Sequence, residues 1–267
     1  MKSLKAYLVL AAAAGALGAM STATANAGPN TVLVSEAPWL TDTFLTNFSQ
    51  TGLGPTTFYS SYAAATPSAI FNAGVNLVVL EGGASTDANL QAYLTANYST
   101  IQNWVSTQKG QLLIQSAGWD NDITFGPYGL TLVPQYNYAS GSGQLTAAGQ
   151  TAFGGVAPGI STNWTGGFLA HDVVTGPLID LADGNTVANG TLPIIGYTAD
   201  GNGWLMLSGL TDSQFQSGSG PWGSYSLVNA ELLYLNELSS PGPVPGAGLA
   251  GFAALALAGF YARARRA

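Results

Sequence analysis

The stretch that decides the fold is residues 76–115, NLVVLEGGASTDANLQAYLTANYSTIQNWVSTQKGQLLIQ. Asn76–Leu80 is a continuous apolar run, which is typical of a strand covered on both faces. A turn follows, and apolar residues then recur at helical spacing as far as Gly110, the expected helix stop. Gln111–Gln115 is a second apolar run. This order predicts two parallel strands joined by a crossover helix.

The alternation of strand and helix extends on both sides of this unit. Thr31–Ser35 predicts a first buried strand. Beyond residue 120 the pattern loosens, but Leu192–Tyr197 and Gly203–Leu207 predict a hairpin, and Tyr225–Leu238 predicts a closing amphipathic helix. We therefore expect one α/β domain over residues 28–240, built in three layers around an open, mainly parallel sheet.

The first segment, residues 1–27, has the pattern of a secretory signal peptide. Two lysines precede an apolar run, and Ala25-Asn26-Ala27 supplies the small residues that signal peptidase requires. The sequence predicts a signal helix that is removed by cleavage before Gly28. The alternative is an N-terminal membrane anchor, which the short run and its cleavage pattern disfavour.

The last segment, residues 241–267, predicts a membrane stop. A Pro/Gly-rich linker leads into Gly246–Tyr261, which is uncharged and mostly apolar and falls a little short of the roughly 20 residues that span a bilayer. We expect a transmembrane helix there, with the terminal arginines on the cytoplasmic side. These arginines are Arg263, Arg265 and Arg266.

This tail resembles the PEP-CTERM sorting signal of Gram-negative bacteria. Val244, Pro245 and Gly246 stand where that signal has Val-Pro-Glu-Pro, so the motif is a variant. The resemblance implies signal peptidase and an exosortase-type enzyme as partners. It also implies transient anchoring in the inner membrane by the C-terminal helix, and delivery to the cell surface or the extracellular space. Proteins of this kind are often associated with exopolysaccharide.

Charge and composition exclude several functions for residues 28–240. This segment contains one basic residue, Lys109, and all 13 acidic residues, so its net charge is −12. Such a surface repels phosphate backbones, and nucleic-acid binding is therefore excluded. The chain has no cysteine, which excludes thiolate catalysis and Cys-based metal sites. No cofactor is predicted.

Five segments of this domain resemble the class I glutamine amidotransferase superfamily, whose domain is flavodoxin-like. They are VLVSE at residue 32, NLVVLEGG at 76, KGQLLIQSAGWD at 109, GGFLAHDVVTGP at 166 and GNGWLMLSGLTD at 201. The family places a cysteine nucleophile at the turn after a strand, assisted by a histidine. Here that turn is Gln115–Trp119, without cysteine. The resemblance thus implies a relative that lacks the nucleophile.

A hydrolase remains one alternative for this site. Ser116 could replace the cysteine, with His171, the only histidine, and Asp120 completing a triad. The G-x-S-x-G signature is absent, however. A hydrolytic role requires His171 to lie within hydrogen-bond reach of Ser116 or a carboxylate pair.

A ligand site is a further prediction, because Trp119, Asp120 and Asp122 follow a strand at the sheet edge where open α/β sheets bind ligands. Aromatic rings among amides and hydroxyls suit neutral sugars, although packing of the core explains such rings as well. Asp120, Asp122 and Asp200 are also weak candidates for calcium, against which ordinary turn chemistry competes. No metal site is predicted with them. The candidate ligand-binding residues are Trp119, Asp120, Asp122, Trp164 and His171.

The leading hypothesis from sequence is a non-catalytic, surface-sorted component of the envelope or extracellular matrix, linked to exopolysaccharide. It rests on the sorting tail and the missing nucleophile. The alternatives are a hydrolase or deacylase acting on envelope polymer, and a glycan-binding module.

Overall fold

The computed structural model describes residues 30–239 except 37, 54–55, 84, 119–120, 136–140, 167–168, 187–189, 212–216 and 219–225. The predicted leader and sorting tail lie outside the described residues. Within those residues, none of the helices is both long and apolar enough to cross a membrane.

Strands and helices alternate in the first half of the chain, and strands dominate the second half. The strands are β1 (Thr31–Ser35), β2 (Thr56–Tyr59), β3 (Leu77–Gly83), β4 (Gln111–Ala117), β5 (Ile123–Phe125), β6 (Leu130–Pro134), β7 (Gly141–Leu145), β8 (Asn163–Gly166), β9 (Asp172–Thr175), β10 (Ile179–Thr186), β11 (Gly190–Asp200), β12 (Gly203–Ser208) and β13 (Ser217–Gly218). The helices are α1 (Pro38–Thr51), α2 (Pro67–Ile70), α3 (Asp87–Gln108), α4 (Ala147–Val156) and α5 (Ser226–Ser239), and a 3-10 turn spans Gly126–Tyr128.

Ten of the strands form one sheet in the order β13-β8-β7-β10-β11-β12-β4-β3-β1-β2, and β5, β6 and β9 form a second, small sheet. In the large sheet, β2, β1, β3, β4 and β12 pair in parallel. The strands on the other side of β12 all pair antiparallel. The small sheet is antiparallel throughout. The domain is therefore built on a mixed sheet.

The prediction of an open, mainly parallel, flavodoxin-like sheet is wrong. The reason lies in the connections of the second half. The residues from 179 to 208 form two successive hairpins, β10–β11 and β11–β12, and a short turn can join only antiparallel strands. Once β11 has paired with β12, the further strands β7, β8 and β13 extend the sheet antiparallel as well.

One face of the large sheet packs against α1, α4 and α5. Leu33, Val79 and Leu113, from three adjacent strands, point into this layer together with Met206 of β12. The buried helical side chains that meet them are Phe48, Phe153, Leu227, Leu232 and Leu235. Because successive residues of a strand point to opposite faces, this layer takes alternate residues of each strand.

The opposite face packs against α2, α3 and the small sheet. Val78, Leu112 and Leu205 point into this layer and contact the apolar side of α3. Trp104 of α3 is fully buried there and donates its indole N–H to the main-chain oxygen of Asn72 at 3.2 Å. Both faces of the parallel strands are therefore covered, as their uninterrupted apolar sequences require.

The contact between α4 and β10 depends on a glycine. A Cβ atom on Gly149 would overlap with the main-chain oxygen of Leu181, so the helix backbone lies directly on the strand. Gly154 of the same helix has open space around its Cα.

We predict that Gly149→Ala lowers the free energy of unfolding by about 1–3 kcal/mol, because the added methyl group displaces α4 from the sheet. The matched variant Gly154→Ala should leave stability unchanged or raise it by up to about 1 kcal/mol, since alanine favours the helix. Urea unfolding of both variants measures the difference. Equal stability of the two variants would contradict the proposed close contact.

Candidate functional site

The candidate site lies at the carboxyl ends of β3 and β4. These strands pair in register, so that Gly82 lies beside Ser116. Ser116 follows Ile114 by two residues and therefore points to the same face of the sheet, toward α3. Its side chain is fully buried. The carboxyl edge of parallel strands is the usual place for a ligand in α/β proteins.

Asp87 is the acidic partner of Ser116. It is the first residue of α3, which begins shortly after β3 ends, and only 1% of its surface is exposed. The Ser116 hydroxyl donates to Asp87 Oδ1 at 2.8 Å and accepts from the Gly118 N–H at 3.0 Å. The dipole of a helix favours negative charge at its first turn, so this position stabilises the Asp87 carboxylate.

Two glycines form the wall around Asp87. A Cβ atom on Gly82 or on Gly118 would overlap with the Asp87 carboxylate group. The carboxylate therefore packs against main chain on two sides, which leaves it little freedom to move. This close approach explains why glycine is needed at the end of β3 and directly after β4.

Asp172, the first residue of β9, brings a second carboxyl group to the same place. Its backbone N–H and that of His171 donate to the Gly209 oxygen, at 3.3 and 2.9 Å, and this ties the start of β9 to the end of β12. Burial and the neighbouring Asp87 raise the pKa of Asp172 well above its ordinary value. The Ser116 hydroxyl and the Gly118 amide lower the pKa of Asp172, whereas the charge of Asp122 raises this pKa further.

Asp87, Ser116 and Asp172 therefore form one buried cluster of two carboxyl groups around a hydroxyl. Two carboxyl groups in one site do not ionise together, because the second charge is repelled by the first. Asp172 is the group of this pair whose pKa is raised, by burial first and by the neighbouring Asp87 second. Such an unequal pair can supply an acid and a base in the same reaction.

The sequence predicted a triad of Ser116, His171 and Asp120, but the structure gives Ser116 a different partner. The serine hydroxyl donates to Asp87 instead. His171 is buried, and burial lowers its pKa to about 4, so its imidazole is neutral at neutral pH. Asp120 lies outside the described residues, as does Trp119.

The other predicted ligand residues lie apart from one another. Asp122 is exposed, and its charge acts on Asp172. Trp164 is part of the core layer of α4 and α5 and borders a cavity of about 230 Å³. Asp200 accepts a hydrogen bond from the Tyr128 hydroxyl. No group of three or more histidine or acidic side chains suited to a metal occurs in the described part of the chain.

A second row of buried polar side chains crosses the opposite face of the same strands. Ser35, Glu81, Gln115 and Ser208 lie in register on β1, β3, β4 and β12, and all are at most 1% exposed. Gln115 donates to the Leu210 oxygen at 2.9 Å. Glu231 of α5 lies beside Ser208, and burial raises its pKa to about 8.

Reasoning from the sequence did not select Asp87 or Glu231 as site residues. Asp87 follows a Gly-Gly turn at the end of a buried strand and precedes a long helix. That signal places an acid at the same sheet edge as Ser116, although the two residues are 29 positions apart. Glu231 carried a weaker signal, an acid within the apolar run of a helix.

Comparison with known proteins shows that the fold of this chain is similar to parts of several solved structures. No protein-family model and no curated protein sequence matches the chain. The solved structure of Agd3, a carbohydrate deacetylase, matches with a TM-score of 0.52 at 12% identity, over 78% of this chain and 32% of that one. A β-galactosidase from Rahnella sp. R3 gives 0.45 at 12% identity, over 76% and 30%, respectively. An exo-β-1,4-mannosidase from Opitutaceae bacterium strain TAV5 gives 0.39 at 11% identity, over 79% and 35%. The chain spans about a third of the length of each.

The interpretation of the domain as a non-catalytic envelope component is wrong. It rested on the sorting tail and the missing nucleophile, but the fold brings two carboxyl groups, those of Asp87 and Asp172, close to Ser116. One solved structure that this chain resembles in fold, with a TM-score of 0.52, is that of a carbohydrate deacetylase.

The pKa of Glu231 generates a prediction for stability. The folded protein keeps Glu231 protonated up to about pH 8, whereas the unfolded chain ionises it near its ordinary value of 4.5. Stability should therefore be highest below pH 4.5 with respect to this group and fall as the pH rises to 8. The loss is on the order of 4 kcal/mol, since a tenfold change in proton affinity is worth about 1.4 kcal/mol.

Glu231→Gln removes this titration. We expect the variant to resemble the wild type at pH 4.5 and to be more stable at pH 8, as measured by urea unfolding across that interval. Glu237→Gln, at a half-buried position of the same helix, is the matched control and should keep the wild-type profile. A Glu231→Gln profile parallel to that of the wild type would refute the assignment.

Proposed function

We propose that this chain is a hydrolase that removes acyl groups from carbohydrate. The observation that carries the proposal is the pair of unequal carboxyl groups, Asp87 and Asp172, buried close to Ser116. Similarity of fold to a carbohydrate deacetylase supports the choice of substrate. The hydrolase alternative thus takes the place of the non-catalytic hypothesis, with Asp87 and Asp172 in the roles predicted from the sequence for His171 and Asp120.

The proposed reaction uses the two carboxyl groups in different protonation states. Asp87, ionised, takes a proton from the water that attacks the acyl carbon. Asp172, protonated, gives its proton to the sugar oxygen or nitrogen as the bond between that atom and the acyl carbon breaks. The products are a carboxylic acid and a free sugar hydroxyl or amine. Ser116, whose hydroxyl donates to Asp87 and acts on the pKa of Asp172, then passes the proton from Asp87 back to Asp172.

The burial of this cluster has two consequences. In a site closed to bulk solvent, the charge on Asp87 and the proton on Asp172 act more strongly on a substrate, and on the one water that attacks it, than they would in solvent. Because all three side chains are at most 1% exposed, turnover requires an opening of the sheet edge that admits the acyl group.

Net charge limits the class of polymer. One basic residue against 13 acidic residues in residues 28–240 repels polymers rich in carboxylate, sulfate or phosphate. We therefore propose uncharged acylated polysaccharide as the substrate class.

The place of action is a separate proposal, which rests on the sequence of the two terminal segments. Residues 1–27 direct export, and residues 241–267 anchor the chain in the inner membrane until an exosortase-type enzyme sorts it. On this proposal the enzyme meets envelope polymer at the cell surface or outside it.

We predict that the wild-type chain releases acetate from 4-nitrophenyl acetate, from acetylated xylan or from penta-N-acetylchitopentaose. Asp87→Asn and Asp172→Asn should each reduce kcat/KM by about 100-fold or more, because each removes one of the two proton-transfer groups. The acetate released from each of the three substrates is measured with an enzymatic assay.

Asp180→Asn is the matched control, since this exposed carboxylate lies on β10 away from the cluster. It should keep wild-type activity. Thermal unfolding of each variant separates loss of function from loss of fold. The proposal fails if the folded wild type releases no acetate from any of the three substrates, or if both asparagine variants remain fully active.

For the export proposal, we expect the mature protein to begin at Gly28 when the full chain is expressed in a Gram-negative host. Sequencing of its amino terminus tests this. Replacing Ala25 and Ala27 by arginine removes the small-residue pattern and should leave the leader attached. An uncut wild-type leader on cytosolic protein would overturn the proposal.

A further inference from the structure

A groove runs between α3 and β5, next to the candidate site. It encloses about 410 Å³, and its wall includes Gln91, Thr95 and Tyr98 of α3 with Thr124 and Phe125 of β5. Thr95 and Thr124 are exposed, whereas Tyr98 is partly buried. The groove is therefore open to solvent along its length.

Both walls of the groove lead to the buried carboxyl pair. On α3, the sequence positions of Asp87, Gln91, Thr95 and Tyr98 differ by four, four and three, so these residues follow one side of the helix. That side is about 16 Å long between the first and the last of them. The other wall is β5, which directly follows Asp122, the exposed carboxylate that acts on Asp172.

The groove is held open by Gln91. Its side-chain amide donates to the Thr124 oxygen at 3.1 Å, and its side-chain oxygen accepts from the Thr124 N–H at 2.6 Å. The same amide nitrogen donates to the Thr95 hydroxyl at 3.0 Å. The two hydrogen bonds to Thr124 fix the distance between helix and strand, and the one to Thr95 holds the Gln91 side chain in place, so a ligand meets a preformed surface.

The side chains of the groove suit a sugar chain. The ring of Tyr98 packs at 5.3 Å from that of Phe125 and supplies an apolar face. The Thr95 and Thr124 hydroxyls lie beside it, and the described lining has no charged side chain. Aromatic faces next to hydroxyl and amide groups bind neutral sugars by stacking and hydrogen bonds.

We infer that this groove binds the polysaccharide segment next to the acyl group that is removed. The inference rests on the proposed function, because it assigns to the same enzyme a second region that holds the polymer while the carboxyl pair acts on it. Tyr98 is the residue on which binding depends most. Its hydroxyl is buried and hydrogen-bonds to no other described group, so the ring is the part that a ligand contacts.

The test separates binding of the polymer from the chemical step. Tyr98→Ala should raise KM for acetylated xylan by about tenfold, the effect of losing one stacked ring. Turnover of 4-nitrophenyl acetate, which is too small to occupy the groove, should stay unchanged. Tyr98→Phe keeps the ring and should behave as the wild type. Phe58→Ala, which removes an exposed aromatic residue on β2, is the control for a ring outside the groove.

A second variant tests the groove in case Tyr98→Ala does not fold. Thr95→Arg fills the groove from an exposed position and should raise the same KM without altering turnover of the small ester. If Tyr98→Ala and Thr95→Arg are folded and both keep the wild-type KM for xylan, the groove does not bind the polymer. This result would overturn the inference even if deacylase activity is found.

Direct binding of acetylated xylan, measured by affinity electrophoresis, completes the design. If the wild type binds xylan but releases no acetate, and Thr95→Arg does not bind xylan, the groove is confirmed as a binding site. The proposed deacylase activity is then refuted. If the wild type neither binds xylan nor releases acetate, both are overturned.

Discussion

The hydrogen bond from Ser116 to Asp87 is the interaction on which the rest of the site depends. It joins the end of β4 to the beginning of α3, across 29 residues of chain. It is possible only because glycine backbone, at Gly82 and Gly118, lies directly against the carboxylate. A second acid, Asp172, arrives beside Asp87 from β9, and burial together with this neighbour raises its pKa well above the ordinary value. Local backbone geometry, packing and acid–base chemistry are therefore linked at one point.

The unit from residue 76 to residue 115 was predictable, because its elements are specified locally. Two apolar runs frame a helix that has a turn before it and Gly110 after it, and the structure places β3, α3 and β4 there. The β11–β12 hairpin and the closing helix α5 follow from equally local signals. The pairing of strands that are distant in sequence was not predictable in this way. A strand such as β7, with glycine at both ends of Gly-Ser-Gly, carries no apolar alternation that would indicate its partner.

The candidate site was predictable only in part for the same reason. Ser116 and Asp122 were found because they lie just beyond a strand that the sequence identifies. Asp87 and Asp172 are 85 positions apart, and they meet because Gly209 receives hydrogen bonds from the start of β9. That contact joins the antiparallel half of the domain to the parallel half. The error in the sheet and the omission of the acid pair thus have a common origin, in long-range pairing that one sequence does not reveal.

The main-chain wall around Asp87 has an evolutionary consequence. A pocket lined by side chains can change its shape gradually, by one substitution at a time. Here the wall has no side chain to exchange, and the smallest replacement at Gly82 or Gly118 already occupies the volume of the carboxylate. Divergence of this domain would therefore be abrupt at these two positions, where the first step away from glycine displaces the acid.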